Sequence, residues 1–313
     1  MKLFPHTPLT IALLALVLCA GCREESAPAP APEASSFEQA PTFELRSPLQ
    51  YEHTYTMTQK QKYNEFAEDT VSLQLAAALR FMPTRLMGDG GAVVELTFDR
   101  LRIDVIPAKG ERIEFDTEVD YDETNETPYV RALRRIAESG VTYEIDAVGQ
   151  VIAMAGAAEM VRLVQSLPGA TLIAGVINEA WLRGLAEDVF GPAGGAAMRD
   201  RDEHWTTDEL LTLGGFTGAD TAIDWQVRSI QNDIAVMRGD GETSAPTKAD
   251  PAAGGARQIV TGAVTQFEVH WDIARGRSAS VEVQGAMSLE FRAQDFLLGT
   301  ASLATHSLTR AAD

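Results

Sequence analysis

Apolar and polar residues alternate with a period of two through most of this chain. In the segment RIEFDTEVDY, the apolar residues Ile113, Phe115, Val119 and Tyr121 alternate with acidic or polar residues. Successive side chains of a strand point to opposite faces of its sheet, so this pattern predicts strands with one face on a core and the other in water. The same period recurs at residues 49–57, 71–81, 223–227, 267–273 and 281–291.

The phase of the alternation changes near Asp99 and Arg100. Apolar positions are even-numbered from 94 to 98 and odd-numbered from 101 to 105. An extra residue here, a β-bulge, would let both halves face one core while bending the strand, which predicts a curved sheet. Turns are predicted at Gly149, at Asn232 and Asp233, and at Gly276.

Three mid-chain segments follow the helical period instead. The first begins after Thr127 and Pro128, an N-cap and N1 pair, and stops at Gly140; the others cover about 157–167 and 172–190. With about a dozen strands and three clustered helices, the predicted fold class is α+β: an antiparallel, β-dominated curved sheet or half-barrel.

Both cysteines lie at the end of an apolar run near the N-terminus. Lys2 precedes the run at 9–18, and Cys19-Ala20-Gly21-Cys22 follows it, which is the order of a signal peptide. The run of about ten residues is too short to span a bilayer, which takes roughly 20. A CxxC redox or zinc motif is disfavoured, because the pair lacks a preceding folded strand and a second ligand pair.

The segment from Leu18 to Cys22 resembles the lipobox of bacterial lipoproteins, and departs from it at Cys19, where an aliphatic residue is usual. The resemblance implies that residues 1–21 are a lipoprotein signal peptide, and that Cys22 carries a diacylglycerol thioether and an N-terminal acyl chain such as palmitate. Arg23, where Asp would favour inner-membrane retention, implies an outer-membrane anchor facing the periplasm. The alternative is ordinary secretion with cleavage nearby.

Residues 22–42 are rich in Pro, Ala, Ser and Glu, which predicts an extended, semi-rigid tether. Residues 43–313 are predicted to form a β-rich globular domain, either single or built from two related halves. The halves are suggested by YEIDAVGQVIAMAG and VHWDIARGRSASVEVQG, which each place an Asp shortly before a turn Gly. Segment 239–256 is predicted to be a flexible loop, preferably within a long hairpin rather than at a domain boundary.

The chain is strongly acidic, with 45 acidic and 26 basic side chains and a formal net charge of -19. Nucleic acids and anionic lipid headgroups need a basic face, so neither is expected as a partner.

No motif for catalysis or for cofactor or metal binding stands out. The five histidines, His6, His53, His204, His270 and His306, show no metal-ligand spacing, and there is no HExxH, GxSxG, P-loop or GxGxxG motif. Asp202, Glu203 and His204 favour a solvated loop over a metal site. Residues 120–126, with Asp120, Asp122, Asn125 and Glu126, only faintly match a calcium loop. The chain is therefore expected not to be an enzyme, and Cys22 is the one assigned site.

The four tryptophans are Trp181, Trp205, Trp225 and Trp271. Core packing is the simplest role for all of them. The alternative is that Trp225 and Trp271, on inward strand faces, line a cavity.

Four segments, YEHTYTMTQKQKY, GGAVVELTFDRLRI, YEIDAVGQVIAMAG and FEVHWDIARGRSASVEVQGAMSLEF, resemble an uncharacterised family of exported bacterial proteins with a domain of unknown function. The family supplies no catalytic residues. At the level of fold the chain is also similar to LolA- and LppX-type lipoprotein carriers, whose curved antiparallel sheet wraps helices around an apolar cavity.

These resemblances imply a membrane-tethered, non-enzymatic envelope protein that binds a lipid or another amphiphile between sheet and helices. The alternative is an interaction or assembly module that docks another envelope protein. A third hypothesis is an unrecognised hydrolase.

Overall fold

The strands and helices are those of a computed structural model, which describes residues 35–64, 67–122, 126–165, 171–193, 195, 197–211, 219–243, 250–251, 256–293 and 296–312. The predicted signal peptide, the lipid-attachment residue Cys22 and residues 23–34 of the predicted tether lie outside this part of the chain. The strands within it are β1 (Ser36–Gln39), β2 (Leu49–Asn64), β3 (Ala67–Leu86), β4 (Ala92–Ile106), β5 (Ile113–Asp116), β6 (Val141–Ile145), β7 (Val151–Ala155), β8 (Ala197–Asp200), β9 (His204–Leu211), β10 (Ala219–Gln231), β11 (Ile234–Thr243), β12 (Asp250–Pro251), β13 (Ala256–Asp272), β14 (Arg277–Ala293) and β15 (Phe296–Ala311). The helices are α1 (Pro128–Glu138), α2 (Ala157–Gln165), α3 (Thr171–Val176) and α4 (Glu179–Phe190).

Thirteen of these strands form one antiparallel sheet. Its order is β7-β6-β4-β3-β2-β15-β14-β13-β11-β10-β9, with β5 paired to β4 and β12 paired to β13. β1 and β8 form a separate two-stranded sheet. The large sheet is curved and does not close, so β7 and β9 are its two terminal strands. The predicted α+β class and the β-dominated curved sheet are confirmed.

The phase change in β4 is the predicted bulge. Phe98 pairs with Leu79 and Arg100 pairs with Ala78, which leaves Asp99 as the extra residue. The Asp99 carboxylate accepts a 3.0 Å hydrogen bond from Nε of Arg80 on the neighbouring strand. On the other edge of β4, β6 pairs before the bulge and β5 pairs after it.

The predicted turns are also confirmed. Asn232 and Asp233 form the two-residue connection between β10 and β11, with φ values of 51° and 62°. Positive φ at both central positions is the requirement of a type I′ hairpin turn. Gly149 (φ 83°) and Gly276 (φ 56°) occupy the turns β6–β7 and β13–β14.

α1 begins as predicted, with the Thr127 hydroxyl accepting the N–H of Val130 and Pro128 at the first turn. The prediction of one helix over 172–190 is wrong, because the segment forms α3 and α4. Asn178 separates them: its carboxamide oxygen accepts the N–H of Trp181 at 2.9 Å and its amide donates to the Gly175 carbonyl at 2.9 Å. The described residues thus contain four helices rather than three.

The main core lies between the inner face of the sheet and the helices. Its helical members share a buried apolar face and include Leu133, Ile136, Met160, Leu182, Leu185 and Phe190. A second cluster lies at the β10 end of the sheet, around the nearly inaccessible Trp225 and Trp271. Phe37 of β1 packs in this second cluster.

The predicted end of the tether at residue 42 is wrong. β1 pairs with β8, Phe37 is only 4% exposed, and the N–H of Thr42 donates to the Gly276 carbonyl. One large apolar residue in a polar segment is enough to dock the chain on the domain, so residues 36–42 belong to the folded domain.

The predicted loop at 239–256 is too long. β11 continues to Thr243 and pairs with β13, and β12 and the start of β13 also lie in this interval. Gly239 and Gly241 suggested a loop, but in the strand they leave room for neighbouring side chains: a Cβ at Gly239 would lie 2.9 Å from the Trp225 ring. The predicted hairpin itself is confirmed by the pairing of β11 with β13.

The strand predicted over 112–121 is also shorter, because β5 ends at Asp116. The Asp116 carboxylate accepts the N–H of Glu118 at 3.1 Å, which turns the chain. Val119, predicted to face the core, is 50% exposed.

Candidate functional site

An open cavity of about 670 Å³ lies where the two ends of the curved sheet face each other. Residues beside and within both terminal strands contribute to it: Val151 begins β7, and Thr207 and Asp208 lie in β9. We call it the edge cavity, and its lining comprises residues 148–151, residues of α4 and the following segment between Arg183 and Gly195, Thr207, Asp208, Trp225, Phe267, Val269 and Val281. Other depressions on the described surface have volumes of about 390, 440 and 540 Å³. The edge cavity differs from them in joining the sheet's inner face to helix α4.

The sheet side of the edge cavity is apolar and aromatic. Trp225 of β10 and Phe267 of β13 lie with their ring centroids 5.3 Å apart, tilted by 42°. Val269 and Val281 extend this wall across β13 and β14. The indole N–H of Trp225 donates to the Thr207 hydroxyl at 3.0 Å, so the ring's one polar atom is satisfied and its orientation is fixed.

The α4 side is polar. Arg183, Glu187 and Asp188 all line the cavity. The Arg183 guanidinium donates to the Val151 carbonyl and lies 4.0 Å from the Glu187 carboxylate. Arg183 therefore connects α4 to the terminal strand β7.

Asp188 is linked to the interior by a continuous chain of hydrogen bonds. The Thr309 hydroxyl lies 2.7 Å from Asp188 Oδ2 and 2.9 Å from His53 Nδ1, and the indole N–H of Trp181 lies 3.3 Å from His53 Nε2. His53 and Thr309 are fully buried partners on β2 and β15, and Trp181 and Asp188 both belong to α4. This series of hydrogen bonds thus holds α4 against the centre of the sheet.

We call this series of hydrogen bonds, from Trp181 through His53 and Thr309 to Asp188, the relay. The donor and the acceptor in each bond follow from the two groups at its ends. An indole N–H can only donate, so His53 Nε2 accepts and its Nδ1 carries the proton. The Thr309 hydroxyl then accepts from His53 and donates to the Asp188 carboxylate. The arrangement requires a neutral imidazole, and burial agrees with this by lowering the pKa of His53 to about 4.

The pKa of Asp188 is shifted in the opposite direction. Burial raises the pKa of its carboxyl to about 6, the Thr309 hydrogen bond opposes this rise, and the Glu187 charge adds to it. Within the described residues, the Asp188 carboxylate has no arginine or lysine partner. A partly exposed carboxylate is therefore held at the cavity wall without a compensating cation.

The structure brings together only some of the residues singled out in the sequence. His53 and Trp181 join the relay, and Trp225 lines the edge cavity, whereas Trp271 is fully buried in the second core cluster. Trp205 stacks beside Trp225 at 6.1 Å and lies under the Arg199 guanidinium.

The remaining polar candidates lie elsewhere. His204 is exposed in β9, and Asp202, at φ 62°, belongs to the turn before it. His270 and His306 bond to Glu268 and Glu282 at 3.0 and 2.9 Å. Of the faint calcium loop, Asn125 lies outside the described residues, and Glu126 pairs with Arg131 and Arg134. Within the described part of the chain, no three His, Cys, Asp or Glu side chains are grouped to hold a metal ion.

None of the described helices combines the length and the apolar character needed to cross a membrane. The predicted lipobox and the apolar leader before it lie outside the described residues, so this finding does not cover them.

No protein-family model matches the chain, so the resemblance to an uncharacterised exported family gains no support, and no characterised protein matches in sequence. The solved structures that match this chain include the following two. A structure described as lipid-protein interactions in lipovitellin has 10% identity and a TM-score of 0.44, over 84% of this chain and 25% of that one. DynF from the dynemicin biosynthesis pathway of Micromonospora chersina has 8% identity and a TM-score of 0.21, over 90% and 89%. The chain spans about a quarter of the lipovitellin chain that it matches.

Proposed function

We propose that this protein is a membrane-tethered, non-enzymatic lipoprotein of the bacterial cell envelope that binds an amphiphile in the edge cavity. The observation that carries the proposal is the pairing of an apolar wall, formed by Trp225, Phe267, Val269 and Val281, with a polar wall on α4. An amphiphile needs both surfaces at once. The volume of about 670 Å³ lies within the roughly 300–1,000 Å³ that is usual for small-molecule sites.

Apolar burial would supply the binding energy for the tail. Each Å² of apolar surface removed from water contributes roughly 25 cal/mol, so a tail lying along Val269 and Val281 gains affinity in proportion to its length. The cavity opens beside the terminal strands rather than through the sheet, so a ligand can enter without breaking a strand pair.

The relay supports a non-enzymatic role. Both ring nitrogens of His53 are engaged, one by Trp181 and the other by Thr309. The Thr309 hydroxyl donates to the Asp188 carboxylate, but it is only 1% exposed. A nucleophile needs an oxygen that a substrate can reach, and the buried Thr309 oxygen does not provide one.

The binding test uses the mature chain, residues 22–313, with Cys22→Ser to prevent acylation. Native mass spectrometry after expression in a bacterial host should show a bound amphiphile, and decyl maltoside added below its micellar concentration should change tryptophan fluorescence. Ala193→Trp fills the edge cavity from the loop after α4 and should weaken decyl maltoside binding by about tenfold, which corresponds to 1.4 kcal/mol.

Ala108→Trp, on an exposed loop, is the matched control and should bind as the parent does. A protein that is empty when purified and that binds decyl maltoside in neither variant would refute the proposal.

The tether is tested separately. Cells grown with radiolabelled palmitate should label the wild-type chain and not Cys22→Ser, and only the wild type should fractionate with the outer membrane. Label on neither protein would refute the anchor, because a lipoprotein is held by its acyl chains.

A second candidate function, an interaction module for another envelope protein, is favoured by an exposed apolar run. Phe296, Leu297 and Leu298 begin β15 and are 74%, 53% and 46% exposed. Exposed apolar patches of this kind mark interaction sites. A photo-crosslinking residue at Leu297 should then give one discrete adduct in intact cells, whereas the same residue at exposed Thr300 should not. Equal labelling at both positions would reject this candidate.

A further inference from the structure

We propose that the edge cavity selects amphiphiles with an ammonium headgroup. Asp188 is the counter-ion, and the aromatic wall, formed by Phe267 and Trp225, receives the cation. This inference rests on the proposed function, because it names the ligand class of the same site. Its support is the charge and the ring geometry of the cavity lining.

The charged side chains that line the cavity favour a cation. Among the described residues of the lining, Arg183 is the one basic residue, against the carboxylates of Glu187, Asp188 and Asp208. Arg183 is already engaged by the Val151 carbonyl and lies 4.0 Å from Glu187. An anionic headgroup would therefore meet like charge, which disfavours binding, whereas a cation would meet opposite charge.

Asp188 is fixed in position, and no lysine or arginine in the described part of the chain pairs with it. Its Oδ2 atom accepts from Thr309, and Thr309 is held in turn by His53 and Trp181. A carboxylate in a partly desolvated wall is costly unless an opposite charge pairs with it. A bound ammonium group would provide that charge without any movement of α4.

The aromatic wall favours an organic cation over a metal ion. The faces of Trp and Phe rings attract an ammonium group within about 6 Å of the ring centroid. Phe267 is partly exposed and can contact the headgroup, whereas Trp225 is only 3% exposed, stacks on Trp205 and supports the Phe267 ring from a centroid distance of 5.3 Å. Calcium and magnesium need several oxygen ligands around one point. Within the described residues no group of three acidic or histidine side chains provides them.

The test compares three probes with the same tail: decyltrimethylammonium, decyl maltoside and decyl sulfate. Each is titrated below its micellar concentration into the Cys22→Ser mature chain by calorimetry at pH 7.5. Decyltrimethylammonium should bind about tenfold more tightly than decyl maltoside, and decyl sulfate should bind most weakly, because a single cation contact in a partly desolvated site is worth about one factor of ten.

Asp188→Asn keeps the acceptor for Thr309 and removes the charge, so it should reduce the ratio of the decyltrimethylammonium affinity to the decyl maltoside affinity from about ten to about one. Glu95→Gln removes an exposed charge on the outer face of β4 and is the matched control. A second readout uses the wild type alone: its preference for the cation should fall as the pH decreases below 6, where Asp188 becomes protonated.

The outcomes separate this inference from the proposed function. Equal affinity for decyltrimethylammonium and decyl maltoside, unchanged by Asp188→Asn, overturns the cation selectivity and leaves amphiphile binding intact. Binding of none of the three probes overturns both. Tightest binding of decyl sulfate overturns the charge argument.

Discussion

The relay makes a specific prediction about stability and pH, because its two titratable groups are shifted in opposite directions. Burial lowers the pKa of His53 from 6.5 to about 4. On acidification the unfolded chain therefore binds a proton at this residue before the folded chain does. The free energy of unfolding must fall as the pH decreases from 6.5 towards 4.

Asp188 has the opposite effect. Its pKa rises from 3.8 to about 6 in the folded protein. The folded chain now binds the proton first, so this residue increases the free energy of unfolding as the pH decreases from about 6 towards 4. At neutral pH, keeping the carboxylate charged costs about 3 kcal/mol, from 1.36 kcal/mol per pKa unit.

In the wild type the Asp188 effect offsets about half of the His53 effect. Between pH 7 and pH 5 the His53 shift lowers the free energy of unfolding by about 2 kcal/mol, and the Asp188 shift raises it by about 1 kcal/mol. Asp188→Asn keeps the hydrogen bond to Thr309 and leaves the His53 effect alone, so it should lose about 1 kcal/mol more than the wild type over this interval. His53→Gln removes the His53 loss, so its change in the free energy of unfolding from pH 7 to pH 5 should be about 2 kcal/mol more favourable than that of Glu95→Gln.

Urea unfolding at pH 7 and pH 5, with the same m-value required in each variant, measures these differences. Glu95→Gln keeps both His53 and Asp188 and should therefore reproduce the wild-type pH dependence. The reasoning is refuted if Asp188→Asn loses no more stability than the wild type on acidification, since Asp188 would then titrate alike in both states. It is also refuted if His53→Gln and Asp188→Asn change in the same direction.

Three further predictions test the local packing. Gly239→Ala would place a Cβ 2.9 Å from the Trp225 ring and should cost about 1–3 kcal/mol in urea unfolding with a shifted tryptophan spectrum, whereas Gly262→Ala, whose Cβ would meet nothing closer than 3.9 Å, should be tolerated. Asn178→Ala removes the cap of α4 and should cost about 0.5–2 kcal/mol, with Asn178→Asp restoring most of it; equal losses would contradict the capping role. Tyr143→Phe removes a buried 2.7 Å hydrogen bond to the Leu182 carbonyl and should cost about 1 kcal/mol by the same assay.

The sequence predicted the features that a local pattern determines. Alternation located the long strands, the phase change located the bulge at Asp99, and Thr127 with Pro128 located the start of α1. Each of these depends on residues within a few positions of one another, where side-chain direction and backbone bonding are set locally.

The errors arose where tertiary contacts decide the structure. Phe37 docks β1 against a cluster formed by residues more than 180 positions further along the chain. Gly239 reads as a loop residue until Trp225 occupies the space above it. Asn178 divides the third helix because its side chain bonds backbone on both sides, a choice that helical periodicity does not reveal.

The candidate site could not be predicted, because its residues are far apart in sequence. His53 and Thr309 are separated by 256 positions and meet through the register of β2 with β15. Asp188 lies in the segment AEDVF, where one of two consecutive acidic residues faces inward and nothing local distinguishes it from its neighbour. A signal was present in one respect: His53 interrupts an otherwise apolar and aromatic series at 49, 51, 55 and 57, and a polar residue on a core face requires a partner.

The duplication into two related halves stays a prediction. Of the two similar turns that suggested it, one joins the 5-residue strands β6 and β7 and the other joins the 17-residue strands β13 and β14.

The same relay also explains how the edge cavity keeps its polar wall in place. A slip of β2 against β15 by one residue would move His53 or Thr309 to the outer face of the sheet and break the bonds to α4. An apolar pair at these positions would tolerate more than one placement of the helix, whereas directed bonds from Trp181 and to Asp188 fix its rotation and its position along the strands. Two buried polar side chains in the middle of the sheet therefore hold the Asp188 carboxylate at the lining of the edge cavity.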